Sequence, residues 1–341
     1  DKDSDIDLSN SKWLINKESV NLKDKTGYTW NTFTSNPEVI DISKKEPGVY
    51  YLHIISSDSN SNIKETIKSI SILPEYDTTK NNATITEVGD IWTEGKGTSD
   101  NPYLISTKEN LEYLSYKVNS GTKYTNTYFA LKNDIELDTG IMLEKPIGYN
   151  PNKYFNGIFD GKSHKLEGIN SDSSCISSST NFSGLFGVTG PNSEIKNLTI
   201  SNSTIEGNYY TGFIGYNMGK VSNITLQNEF INSKYYSGGI TGFNDGEISN
   251  CTYEGTIQSN ASYIGGIAGY NNNILTNVKL LNSNIIGGSY MGGIPGMNIG
   301  NITGNNEIQY TSLNLISSYG GIVAGYNKGT IDGFVIDGVN A

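Results

Sequence analysis

The sequence contains no arginine, only two histidines and only two cysteines in 341 residues. Each shortage excludes something. Without a guanidinium there is no bidentate clamp for carboxylate or phosphate, and arginine-assisted proton abstraction is ruled out. Cys175 and Cys251 permit one bridge at most, so there is no disulfide framework. His53 and His164 stand alone, and no HExxH string exists, so the chain is not itself a zincin protease. His53 lies in a strand-like run and is expected to be structural. His164 follows the turn "FDGKS" and is expected to face solvent. No run of eighteen apolar residues appears, so no membrane insertion is expected. Charged residues are only 17% and the net charge is −11. That sign argues against nucleic acid or an anionic membrane as partner. The opening "DKDSDIDLSN" has no signal-peptide pattern, and the chain reads as a piece excised from a longer, secreted protein.

What the chain does have is glycine, 39 residues of it, of which 28 fall after residue 180. They punctuate a repeat. "NFSGLFGVT" (181–189), "YYTGFIGYN" (209–217), "YSGGITGFN" (236–244), "YIGGIAGYN" (263–271), "YMGGIPGMN" (290–298) and "YGGIVAGYN" (319–327) align. Their closing glycines are Gly187, Gly215, Gly242, Gly269, Gly296 and Gly325. A nearly fixed period of this kind, about 27 residues, is the signature of a solenoid. Apolar columns run Leu185, Phe213, Ile240, Ile267, Ile294; Ile195, Val221, Ile248; and Leu198, Ile224, Cys251, Val278. Asparagine columns run Asn197, Asn223, Asn250, Asn277 and Asn217, Asn244, Asn271, Asn298, Asn327. The pieces between glycines are short and β-branched, with no helical periodicity. Each unit therefore reads as one coil of about three short strands. Stacked coils form a parallel β-helix with like residues roughly 4.8 Å apart, so six units rise roughly 30 Å. Glycine is expected to supply turns of positive φ, and asparagine to bond to its counterpart in the next coil.

The strings "SGLFG", "GGITGFNDGEISNC" and "GGIAGYN" resemble the GLUG repeat of large bacterial surface proteins. Some such proteins are adhesins. Others are immunoglobulin-A1-type zinc metalloproteases that carry the repeats outside their catalytic domain. The resemblance covers about residues 181–341. The preceding segments "WTEGKGTSDNPYLISTKENLEYLSYKVNSG" (92–121), "FALKNDIEL" and "PIGYNPNKYFNGIFDGKSHKLEGI" (146–169) are similar to the lead-in of these repeats. The resemblance implies a β-helix cap and first coils over residues 92–180. "STKE" is a capping box with Ser106 as N-cap and Glu109 at N3. It predicts a helix over 107–119 that presents Leu111, Leu114 and Val118 and is ended by Gly121. Such a helix would plug the open end of the apolar interior.

Residues 1–76 differ. "GYTWNTFTS", "GVYYLHIISSD" and "IKETIKSISIL" alternate as strands separated by turn signals. They predict a small β-sandwich, and "GVYYLHIISSDSNSN" resembles the immunoglobulin-like modules of bacterial surface proteins. Residues 77–91 read as a polar linker. The expected chain is thus all-β. An immunoglobulin-like sandwich comes first, then a right-handed parallel β-helix with an N-terminal capping helix and one coil per repeat.

Chemistry is sparse. Residues 181–341 hold nine acids: Glu194, Glu206, Glu229, Asp245, Glu247, Glu254, Glu307, Asp332 and Asp337. Most do not recur at the coil period, and no spacing favours a paired-carboxylate glycosidase site. Asp1, Asp3, Asp5 and Asp7 set out the oxygen-rich half of a calcium loop, but Ile6 occupies the place of its turn glycine. Asp58, Asn60 and Asn62 fail similarly. Cys251 belongs to an apolar column and is expected to be buried filler, whereas Cys175 lies in a serine-rich loop without a base nearby. No cofactor is implied. Binding is the better prospect. A tyrosine column is expected at Tyr209, Tyr236, Tyr263, Tyr290 and Tyr319. A second aromatic column runs Tyr216, Phe243, Tyr270, Met297 and Tyr326, and Tyr149, Tyr154 and Phe155 form an aromatic loop. An outward tyrosine strip could stack on sugar rings or meet a protein; turned inward it would only cover corners.

These observations lead to an expected non-catalytic module of a Gram-positive cell-wall or extracellular protein, monomeric within a longer chain. It would bind a host or matrix protein or glycan. Two alternatives keep the fold: a spacer or substrate-binding region of a large secreted zinc metalloprotease, and a polysaccharide lyase or hydrolase.

Overall fold

The computed structural model describes residues 10–16, 22–33, 48–57, 63–72, 92, 94–137, 146–171, 182–259, 262–315 and 319–340. The chain divides into two compact units, Asp1–Ile91 and Trp92–Ala341.

In the first unit, strands β1 (Lys12–Asn16), β2 (Asn31–Thr32), β3 (Gly48–Ser57) and β4 (Ile63–Ile72) form one antiparallel sheet in the order β2-β1-β3-β4. The alternation in the sequence matches this pairing. Among the described residues the sheet is a single layer. His53 lies at its centre, fully buried, with Nδ1 2.8 Å from Glu65 Oε1 and Nε2 3.1 Å from Asn16 Oδ1. Glu65 also accepts the backbone N–H groups of Leu22 and Lys23 at 2.8 and 2.7 Å. The buried pair therefore fastens the 22–23 segment to the sheet, which is the structural role expected of His53.

The second unit is a parallel β-solenoid. One column of interior residues runs without a break through Phe129, Phe159, Ile195, Val221, Ile248, Leu275, Ile302 and Ile331. All of these except the last are at most 1% exposed. The columns Leu185–Ile294 and Leu198–Val278 are buried as the repeat requires, Cys251 included. Burial pushes the Cys251 thiol up to about 12, so it is inert filler. Cys175 lies outside the described residues, as do Asp1, Asp3, Asp5, Asp7, Asp58, Asn60 and Asn62.

A coil holds five short strands where three were expected. In the coil after Tyr263 they are Tyr263–Gly265, Ala268–Asn271, Ile274–Thr276, Lys279–Leu281 and Asn284–Gly287. The extra breaks fall at Asn277 and Asn282, which take φ of 52° and 44°. Asparagine tolerates this left-handed conformation better than other residues with a Cβ. Asn197, Asn223 and Asn250 occupy the same corner with φ of 55°, 56° and 53°. Gly304 and Gly333 continue it at 85° and 72°.

The repeat glycines have a different task from the one expected. Those of the paired GG-x-x-G strings do not adopt positive φ, although Gly184 of the first string does at 151°; the left-handed corners fall to asparagine in most coils and to Gly304 and Gly333 in the last two. They are small because coils pass close. A Cβ on Gly242 would lie 2.5 Å from the backbone nitrogen of Thr211, and one on Gly269 2.6 Å from that of Ser237. A Cβ on Gly239 would strike the Tyr253 ring and the Gly266 carbonyl oxygen, and one on Gly266 would strike Leu280 and the Gly293 carbonyl oxygen. The second glycine thus makes room for an interior side chain and for the next coil's backbone together.

Helix α1 (Lys108–Asn119) covers the first coils, with Leu111, Leu114 and Val118 fully buried and Tyr113 nearly so. Its cap is shifted by one residue from the expected one. Thr107 is the N-cap, and its Oγ accepts the Asn110 N–H at 3.4 Å. Asn110 Oδ1 in return accepts the N–H of Thr107 at 3.2 Å and of Ser106 at 3.0 Å. The amide of Asn110 can reach both donors, which displaces Glu109 from the capping role. At the other end Asn119 accepts the N–H groups of Gly148 and Tyr149 and donates to Pro146 O at 3.0 Å. Trp92, Tyr103, Phe129, Phe155, Phe186 and Phe213 form a chain of ring contacts, 5.2–5.9 Å between centroids, beneath this cap.

Candidate functional site

The candidate site grows out of the closing string of each coil. Two sheets of six short parallel strands carry it. One pairs Phe182, Tyr210, Tyr236, Tyr263, Tyr290 and Tyr319 in register. The other pairs Val188, Tyr216, Phe243, Tyr270, Met297 and Tyr326. Parallel pairing with in-register repeats places identical side chains directly above one another.

Tyr236, Tyr263, Tyr290 and Tyr319 therefore share the column expected of them, but Tyr209 does not. Its place is taken by Tyr210. The reason is a missing residue. "YTGFIGYN" has a single glycine where later coils have a pair. Tyr210 therefore pairs with Tyr236, whereas past the shortened turn Tyr216 pairs with Phe243, one position further along. Tyr209 instead stacks on Tyr235 at 4.3 Å, both exposed on the flank.

The rings of the ladder stack face to face. Centroids are 5.0 Å apart from Tyr210 to Tyr236, to Tyr263 and to Tyr290, and 4.9 Å to Tyr319. Interplanar angles are between 4° and 17°. The second column abuts it edge-on, with Tyr263–Tyr270 at 6.0 Å and 78°, and Tyr290–Tyr326 at 6.0 Å and 83°. Such offset and T-shaped pairs suit the ring quadrupoles. The ladder is half-buried, opening to 52% exposure at Tyr319. Burial raises the phenol pKa of Tyr210, Tyr236 and Tyr270. Tyr216 is raised further, by burial and by donating to Asp245 Oδ2.

Behind this surface runs a ladder of buried amides. Asn217 donates to Asn244 at 2.9 Å, Asn244 to Asn271 at 2.9 Å, Asn271 to Asn298 at 2.8 Å and Asn298 to Asn327 at 2.8 Å. Each also bonds its own chain two residues on, as Asn244 does with Gly246 O at 3.0 Å. These are the predicted asparagine bonds, and they stiffen the strip from within. The outer column repeats the motif in part, with Asn223 to Asn197 at 2.9 Å and Asn277 to Asn250 at 3.0 Å.

The acids are dispersed among lysines and amides. Glu194 meets Lys196 at 3.0 Å, Glu247 meets Lys220 at 3.4 Å and Glu307 meets Lys279 at 2.8 Å. Asp245 accepts from Tyr216 and from Asn272 at 2.6 Å. His164 is partly covered and lies 3.0 Å from Asp134, so it does not simply face solvent. Phe155 is fully buried core, while Tyr154 accepts from Lys123 Nζ at 2.9 Å, so the expected aromatic loop is split. Among the described residues no group of three or more His, Cys, Asp or Glu could hold a metal ion.

One acid is unlike the rest. Glu229 is 3% exposed, inside the solenoid, and neither carboxylate oxygen makes a well-formed hydrogen bond; the hydroxyl and N–H of Ser203 are the donors nearest to it. It aligns with Ser203 and Gly255 of adjoining coils. A bulge between Leu226 and Glu229 puts it there, and Gly255, where a Cβ would lie 2.4 Å from the Glu229 carbonyl oxygen, lets the bulged backbone pass. Burial pushes its carboxyl up to about 8, only partly opposed by Ser203. The Tyr253 hydroxyl nearby is likewise buried and unpartnered. Closed off from solvent, this acid cannot meet a substrate. Its displacement by a bulge gives no sign in the sequence.

No family profile matches the chain. It is 31% identical over 147 residues to a protein of Evansella cellulosilytica named as a Gly-rich membrane protein; the match takes in 40% of this chain and 16% of that one. It is 29% identical over 151 residues to halomucin of Haloquadratum walsbyi, covering 43% of this chain and 2% of the relative. The chain thus matches only a small part of either relative's length. A crystal structure of a Bacteroides ovatus protein named as an immunoglobulin A1 protease superposes with a TM-score of 0.45 at 18% identity, over 71% of this chain and 86% of that one. No helix among the described residues is long and apolar enough to cross a membrane.

Proposed function

We propose that this chain is a non-catalytic binding segment of a larger surface or extracellular protein, and that it attaches to a host, matrix or neighbouring surface through the tyrosine ladder. One observation carries the reading: five tyrosines stand in register along one face, half exposed, on a scaffold braced by buried amides. A fold whose interior is filled with aliphatic columns, and whose acids are dispersed and partly paired with lysines and amides, has little else to offer a ligand. The resemblance of the repeat to GLUG-type surface proteins supports it, as do relatives named as a membrane protein and a halomucin.

The test is an array of glycans and extracellular-matrix proteins probed with the intact chain and with a variant carrying Ser at positions 236, 263 and 290. Far-UV circular dichroism checks that the variant folds. Binding by the parent that is lost in a folded variant is the expected result. Equal binding by both proteins, or binding by neither, refutes the reading.

A further inference from the structure

The stacking that builds the ladder also limits how it can be used. Rings 5.0 Å apart and within 17° of parallel occupy one another's faces. Only edges and hydroxyls look outward. A sugar lying flat on a ring face, the usual mode for an isolated surface aromatic, finds an open face only at Tyr319, where the stack ends. What the strip offers along its length is a row of phenol oxygens with the pitch of the coils.

Those oxygens are free to act. The hydroxyls of Tyr236, Tyr263 and Tyr290 make no hydrogen bond within the protein among the described residues, and each phenol can both donate and accept. Tyr216, in the neighbouring column, is engaged with Asp245, which keeps that flank occupied.

The pitch discriminates between occupants. An extended polypeptide laid along the ladder repeats at about 3.3 Å per residue, and a polyproline helix at about 3.1 Å, so both fall out of step within two rungs. An α-helix has a turn height close to one rung, but its backbone groups are paired internally and it presents no uniform row of partners. A polyanion is opposed by the net charge of −11 and by Asp245 beside the strip. A neutral, extended chain of β-linked pyranose units advances by nearly one rung per sugar. Its ring hydroxyls are themselves both donors and acceptors, matching phenols one to one.

Resting on the surface-binding reading above, we infer that the ligand of the ladder is a neutral β-linked glycan, lying parallel to the solenoid axis and held by the hydroxyls of Tyr210, Tyr236, Tyr263, Tyr290 and Tyr319, about one sugar per rung. Affinity then grows with oligosaccharide length until the five rungs are filled, and levels off beyond.

The decisive variant is Tyr236→Phe, Tyr263→Phe, Tyr290→Phe, which keeps every ring and every stack and removes three hydroxyls. The whole chain and this variant are run in affinity electrophoresis through gels holding hydroxyethyl cellulose, glycol chitin, xylan or, as a control, an α-linked glucan. Cello- and chito-oligosaccharides of two to eight units compete. Retardation by a β-linked polymer, reduced at least tenfold in the Phe variant, with competition rising to about five units, is expected. Undiminished retardation of the Phe variant overturns the hydroxyl assignment. If the parent binds a matrix protein but no glycan, the glycan inference falls while the surface-binding reading stands. If it binds neither, both fall.

Discussion

Glu229 should make the solenoid sensitive to alkali. Its carboxyl titrates at about 8 in the folded chain against 4.5 for an ordinary glutamate. The folded state therefore holds a proton that the unfolded state has released anywhere between those values. Stability is untouched by this group below pH 4.5. It then falls by up to about 1.4 kcal/mol per pH unit and levels off above pH 8. By pH 7 the cost is about 3 kcal/mol, and the full loss is about 5 kcal/mol. Tyr253, the titratable neighbour, has its phenol pKa raised by burial and by the Glu229 charge, so it stays neutral throughout. Glu229→Gln is isosteric and cannot ionise. Urea midpoints of the parent chain and the variant, followed by circular dichroism at pH 4.5, 6, 7 and 8, should coincide at the lowest pH. They should separate as pH rises, the variant becoming the more stable. Midpoints that differ by a constant amount, or a parent that gains on the variant with pH, would show that the carboxylate is solvated or paired, and the account of its burial would be wrong.

Three further outcomes follow from the coil geometry. Gly239→Ala puts a methyl into both the Tyr253 ring and a carbonyl of the next coil, and should destabilise by about 2–3 kcal/mol in thermal unfolding; an unchanged melting point would dismiss close coil passage as the reason for that glycine. Asn244→Leu removes a fully buried link bonded to Asn217, Gly246 and Asn271. It should cost about 3 kcal/mol, because several partners lose their bonds at once, and a loss under about 1 kcal/mol would make the amide ladder ornamental. At the left-handed corner, Asn250→Gly should be nearly neutral while Asn250→Val costs about 1–2 kcal/mol, read from the same melting curves; equal effects would refute a conformational role.

Much of this fold could be read from spacing alone. A constant period decides which side chains share a column, so the interior columns and the amide ladder followed once the strings were aligned. What spacing hides is contact. The glycines were legible as a requirement, yet their reason, the nearness of the next coil and of Tyr253, lies in residues remote from them in the chain. The ladder was misassigned by one residue at its start because adjacent tyrosines, 209 and 210, fit the alignment equally well. Only the shortened loop of that coil decides between them. The cap moved from Ser106 to Thr107 for a similar reason, two hydroxyl residues in a row with an amide in reach of both. Glu229 was invisible, since a bulge breaks the period that every other inference relied on. The direction of the tyrosines was left open by their spacing, which allows an outward strip and covered corners alike, and nothing in it showed that stacking would consume the ring faces.

The hydrogen bonds that join the coils point along the stack, as in Gly266 N–H to Gly293 O at 2.9 Å and Ile267 N–H to Ile294 O at 3.0 Å. A pull applied through the two ends of the solenoid therefore opens them one rung at a time, as a zipper yields, and never loads a whole sheet in shear. Each rung that gives way releases one coil of chain, roughly 90 Å of slack at full extension. A solenoid built this way lengthens in even increments under load, each rung dissipating work before the next is strained.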